Sequence, residues 1–171
     1  MAKEVALLTD IRSIMARLRA RDAMELAAYG WDAELAASAL AAPAELARVF
    51  AHEDRPAAVV AFHRLTPCTL AASMVATDDW THVARRVVRW AVREARPTLL
   101  AKGYTRAECR TMAGHSDAIR LLEHLGFVLE CRIPSFGAHD TTFLQYAWRL
   151  SDHVPLEGAA SAAATATTAA A

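Results

Sequence analysis

His115 is the side chain whose type and setting best suit proton transfer. Imidazole titrates near neutrality, so His115 can serve as base or acid. Lying in a Gly-His-Ser-Asp segment, it can equally cap the following helix together with Ser116. A second suggestive stretch is TDDWTHVARR (77–86), which joins an apolar run to a basic helix. Asp78 and Asp79 are good N-cap residues, expected to stabilise that helix by roughly 1 kcal/mol. Arg85, Arg86, Arg89 and Arg93 follow; such a stripe grips phosphates, docks on an acidic partner or is simply solvated. The seven histidines contain no pair at the i, i+4 spacing of a helical zinc site, and the cysteines form no C-x-x-C. Ser135, His139 and Asp140 share one loop, which suits a turn better than a triad converging from separate elements.

The elements that position these residues follow from periodicity. Ile11, Ile14, Met15 and Leu18 share one helical face, with Arg12, Arg17 and Arg19 opposite. Asp22 and Glu25 have capping-box spacing and open a second helix that Gly30 stops. Asp32 caps a third, running to about Ala42, and 45–50 reads as a further short helix. The period then changes. Stretches 57–65 and 69–76 form a hairpin of buried strands around Thr66-Pro67-Cys68. Helix resumes at about Thr81, with a break at Pro97 and an end at Gly103. YTRAECRTM alternates, placing Ala107 and Cys109 on one side and Arg106, Glu108 and Arg110 on the other. HSDAIRLLEHLG is a short helix ending at Gly126. Two alternating strands close the domain, one with Phe127, Leu129, Cys131 and Ile133 facing one way, the other with Leu144, Tyr146, Trp148 and Leu150. Cys109 and Cys131 are therefore expected in the core.

Residues 1–155 read as one domain, and 156–171 as an uncharged alanine- and threonine-rich tail. Lys plus Arg equals Asp plus Glu at 19 each, so no global charge steers the chain toward nucleic acid or an anionic membrane. No apolar run approaches the roughly 20 residues a bilayer-crossing helix needs. Three scattered cysteines argue for a reduced compartment.

This order of elements is α/β with a central mixed sheet flanked by helices. HSDAIRLLEHLGF followed by alternating strands resembles the C-terminal half of the GNAT N-acetyltransferase superfamily, through Ala118, Gly126 and Phe127. LRARDAMELAAYGWDAELAASAL, VATDDWTHVARRVVRW and LGF resemble GNAT-related internal virion or head-to-tail accessory proteins of short-tailed bacteriophages. The resemblance covers roughly residues 10–150. It implies a virion assembly component made in the host cytoplasm, without cofactor, docking on other portal or tail proteins through Arg85, Arg89 and Arg93 and the tail 158–171. The alternative it implies is an acyl-CoA-dependent N-acetyltransferase holding acetyl-CoA at His82, Val83, Ala84, Arg85 and Arg86. The superfamily's Q/R-x-x-G-x-G/A phosphate turn falls at Asp79–Ala84, where Asp79 replaces the basic or amide residue and His82 the first glycine. Self-capping by the two aspartates would close that cradle. Leu122 stands where the superfamily often has an acidic tyrosine, leaving Tyr146 as a substitute acid or a core residue. The superfamily's strand base would be Glu108 or Glu130, unless both serve in charge pairs with Arg106, Arg110 and Arg132.

Overall fold

A computed structural model describes residues 2–152, so the tail lies outside the described residues. Three helices come first: α1 (Ala2–Met15), α2 (Ala20–Ala28) and α3 (Ala33–Ala41). Ile11 and Ile14 of α1 are fully buried, against Ala36, Ala37 and Leu40 of α3. Each isoleucine contributes about 1.5–3 kcal/mol by leaving water. Asp32 caps α3 as its spacing predicts, accepting a hydrogen bond from the Leu35 amide at 2.7 Å. Gly30, at φ +74°, stops α2 in the left-handed conformation that glycine adopts without strain.

A six-stranded mixed sheet follows, in the order β1-β2-β3-β4-β6-β5. Its strands are β1 (Leu46–His52), β2 (Arg55–Arg64), β3 (Thr69–Ala76), β4 (Arg106–Met112), β5 (Val128–Gly137) and β6 (Thr141–Arg149). Only the β3–β4 pair is parallel. Residues 45–50, expected as a short helix, lie instead at the start of β1, where Leu46, Val49 and Phe50 pair with β2. Pairing and burial against a finished sheet override the local helical tendency of so short a segment.

Helices α4 (Trp80–Trp90), α5 (Arg96–Ala101) and α6 (Ser116–His124) cover the other face. Six consecutive β2 residues, Ala57–Phe62, are buried because both faces of that strand are covered. Phe50, Phe62 and Trp90 lead the α4 side, while Val59 and Ala61 join the α1 side. Before Pro97, which offers no amide, the chain widens into a π-helical turn at Ala91–Ala95. In β5, a register shift between Leu129 and Cys131 breaks the expected alternation. Leu129 pairs with Tyr146 on one face, whereas Cys131 pairs with Gln145 on the other and is exposed. Cys131 is thus no core residue.

Candidate active site

The parallel strands β3 and β4 pair only at their beginnings, Thr69–Ala71 with Arg106–Glu108, and then part. Parting leaves two rows of backbone groups without a strand neighbour, and unmade bonds there cost free energy. Helix α2 supplies partners for one amide on each strand. Asp22 Oδ2 accepts from the Ala76 amide at 2.7 Å, and Glu25 Oε2 accepts from the Met112 amide at 3.1 Å and Thr111 Oγ1 at 2.8 Å. Two carboxylates three residues apart thereby wedge the diverging strands. The expected capping box does not form: the N-cap of α2 is Arg19, with no side-chain cap bond. Both acidic side chains are drawn across to the sheet, where unpaired amides offer stronger partners than an exposed helix start.

Asp22 is saturated. Besides Ala76 it accepts from Arg19 Nη2 at 2.7 Å, Arg19 Nε at 3.1 Å and His115 Nε2 at 2.9 Å. His115, buried with Asp22, receives the Ala118 amide on Nδ1 at 3.3 Å and so caps α6. Both of its ring nitrogens are occupied. Ser116 does not share the cap; its hydroxyl accepts from Arg21 at 2.7 Å. Glu25 differs, because only Oε2 is held and Oε1 has no hydrogen bond among the described residues. Burial is the largest influence on it and raises its pKa above 4.5, against the hydrogen bonds from Thr111 and Met112 that favour the carboxylate.

The gap between the strands opens into a cavity of about 920 Å³ lined from both faces of the sheet. Its α4–α6 half is mainly apolar, with Met74, Val87, Leu99, Leu121, Leu122 and Trp148 as walls and Arg96 among them. Alternation from Ala76 puts the amide and carbonyl of Met74 on the same open edge. The α1–α3 half carries the polar groups: Glu25, Tyr29 and Arg110, beside Trp31, Leu65 and Phe136. Burial pushes the Tyr29 hydroxyl up, and it donates to the Arg110 carbonyl at 3.4 Å. Gly137 locks this side: a Cβ there would stand 2.6 Å from Phe143 and 2.8 Å from the Ala28 carbonyl.

Glu108 borders the cavity but is paired with Arg106 at 3.0 Å, and Arg106 also holds Glu130 at 2.5 Å. These bonds hold the Glu130 carboxyl below its usual range. Tyr146 is buried, donates to Glu123 at 3.2 Å and is not among the cavity's lining residues. Leu122 does line it, so that wall presents a hydrocarbon where a proton donor was looked for. Cys109 also lines it, and burial pushes its thiol up to about 12.

The start of α4 departs from expectation. Asp79 is its N-cap residue but makes no side-chain cap bond; its carboxylate faces Arg17 at 3.7 Å. Asp78 is exposed. The Trp80 and His82 amides bond to the carbonyls of Thr77 and Asp79, while the Thr81 amide has no partner among the described residues. His82, standing where a glycine was looked for, stacks flat on His52 at 4.1 Å. His52 ends β1, two strands away from β3, so that ring is carried away from the cleft. The helix start is therefore not sealed by its own carboxylates. Val83 is buried and Ala84 half-buried; Arg85 is exposed, and Arg86 donates to the Ala51 carbonyl at 2.8 Å. Glu25 and Tyr29 were missed as site residues, because the only local signal for Glu25 is its spacing from Asp22, which a capping box explains equally well.

No protein-family model matches the sequence, and no curated protein is significantly similar to it. Solved structures are similar. The ribosomal-protein-S18-alanine N-acetyltransferase of Escherichia coli superposes with TM-score 0.61 at 17% identity, over 84% of this chain and 87% of that one. An acetyltransferase of the GNAT family from Streptococcus pneumoniae gives 0.55 at 12%, over 70% and 75%. The ribosomal-protein-alanine N-acetyltransferase of Brucella melitensis gives 0.51 at 15%, over 61% and 68%. These likenesses establish the fold: a GNAT-like mixed sheet flanked by helices.

Proposed function

We propose that this chain is an acyl-CoA-dependent N-acyltransferase, with Glu25 as the base that takes a proton from the acceptor amine. One observation carries this reading: the strands part at a cavity with an open backbone edge and an apolar wall on one side, and a half-held carboxylate on the other. Acetyl-CoA supports the reading by fit. Its pantetheine arm is an extended, amide-bearing chain suited to the Met74 edge and the apolar wall, and its diphosphate suits the uncapped Thr81 amide at the positive end of α4. Arg85 lies one turn further on. Acetyl-CoA, when bound, supplies an activated acyl group and a thiol leaving group.

The protein's own part is acid–base and positional. Glu25 Oε2 is fixed by two donors, and Oε1 has no hydrogen bond among the described residues and is the oxygen left for the acceptor. Burial raises its pKa above the ordinary carboxylate value, which strengthens it as a base. Asp22, Arg19 and His115 act on the frame. They hold the end of β3, α2 and the start of α6 in one buried unit.

The second reading is an assembly component, without catalysis, in a virion. It draws on Arg85, Arg89 and Arg93, which are exposed and have no ion pair among the described residues. Calorimetric titration of the purified chain with acetyl-CoA separates the two. The enzyme reading expects a dissociation constant at or below roughly 100 µM. Absence of heat up to millimolar ligand would leave the assembly reading standing.

A further inference from the structure

We infer that the acceptor is a small amine that also carries a carboxylate and an apolar side chain, an amino acid in its zwitterionic form being the simplest member. This deepens the enzyme reading and rests on it for the direction of chemistry, though not for the binding itself. Four arginines line the cavity. Arg19 is matched by Asp22, and Arg106 by Glu108 and Glu130. Arg96, on the α4–α6 side, donates to the Leu125 carbonyl at 2.5 Å and lies 4.7 Å over the Trp148 ring. Arg110 is exposed at the α1–α3 mouth, and no carboxylate pairs with it among the described residues. Arg96 has no carboxylate partner among the described residues either, so Arg110 is distinguished by its exposure and by its side of the sheet.

Its guanidinium is nevertheless fixed. Nε donates to Gln145 Oε1 at 2.8 Å, and the planar group sits 5.3 Å over Phe136. Gln145, a neutral amide, orients the cation without neutralising it. The remaining N–H groups form the fork that takes a carboxylate through two bonds. Two residues further along β4, the Met112 amide holds Glu25. Residues two apart on a strand are about 6.6 Å apart at the backbone, so the base of Arg110 and the anchor of Glu25 share one stretch of β4, and both side chains line the cavity. Tyr29, one helical turn beyond Glu25, bonds to the Arg110 carbonyl and so ties α2 to this part of β4.

Hydrocarbon borders the same mouth. Trp31 and Phe136, both packed on Tyr29, line it with 42% and 41% of their surface exposed. Large side chains left in water at a cavity rim are suited to covering an apolar group on a ligand. A peptide N-terminus would satisfy Glu25 and this rim but would bring no carboxylate to Arg110.

The test needs no cofactor. Calorimetry on the full chain compares L-phenylalanine and L-leucine with phenethylamine and isoamylamine, their decarboxylated counterparts. The amino acids are expected to bind at least roughly tenfold more tightly, as a charge-assisted pair implies. Arg110→Gln should erase that ratio, and Arg110→Lys should keep part of it. Equal or tighter binding of the amines, binding of none of the four, or an unchanged ratio in Arg110→Gln would overturn the inference. So would tighter binding of a short uncharged peptide with a free N-terminus. If acetyl-CoA fails to bind while the amino acids do, the enzyme reading falls and this site stands.

Discussion

Glu25 has opposed effects on stability and chemistry, and that opposition is measurable. Its pKa is raised on folding, so the folded chain holds the proton more tightly than the unfolded one. Ionising it therefore subtracts stability as pH rises from 4.5 through the folded value. Glu25→Gln keeps an acceptor for Thr111 and Met112 and cannot ionise. Thermal melts should show the variant more stable than the parent at pH 7, the gain vanishing below about pH 4. Its acyl transfer should fall by roughly 10²–10⁴-fold. A variant that melts lower at pH 7, or that keeps its turnover, contradicts the assignment. Tyr146 makes the opposite case. Its hydroxyl meets Glu123 away from the cavity, so Tyr146→Phe should cost about 1 kcal/mol of stability and leave turnover unchanged. A large loss of turnover would return Tyr146 to the site.

At the scale of elements, α2 is both wedge and support. Asp22→Ala would strand the Ala76 amide, the Arg19 guanidinium and His115 Nε2 in a buried setting. Urea titration should show a loss of about 3 kcal/mol or more, because a broken buried network leaves charge uncompensated. A loss below roughly 1 kcal/mol would mean that water replaces the carboxylate and that the wedge is dispensable. Local signals were readable here wherever one residue suffices. The cap at Asp32, the left-handed stops at Gly30 and Gly126 and the break at Pro97 are all set by a single side chain or its absence. Asp22 and Asp79 show the limit of such reading. Each has the right type for a helix cap, yet Asp22 bonds to β3 and His115 while Asp79 faces Arg17, partners that only chain folding brings near. The bulge at Glu130 likewise reverses an alternation that looks regular along the sequence.

Under the proposed function, the molecule as a whole is expected to respond to acetyl-CoA as one cooperative unit. At a hundredfold excess over its dissociation constant, acetyl-CoA should add about 2.7 kcal/mol to the unfolding free energy, visible as a rise in melting temperature. An unmoved transition at that excess would remove coenzyme A from the account. Periodicity, caps and breakers determined the α/β class, the order of elements after residue 52 and the identity of most core positions, because each depends on residues close in sequence. Tertiary structure alone decided that β3 and β4 part, that Glu25 stands half-held at the gap and that Arg110 lines the same cavity with no carboxylate partner among the described residues. Those facts join positions such as 25 and 112, or 110 and 145, whose meeting no local pattern encodes. They arise where buried backbone must find hydrogen bonds, and distant side chains provide them.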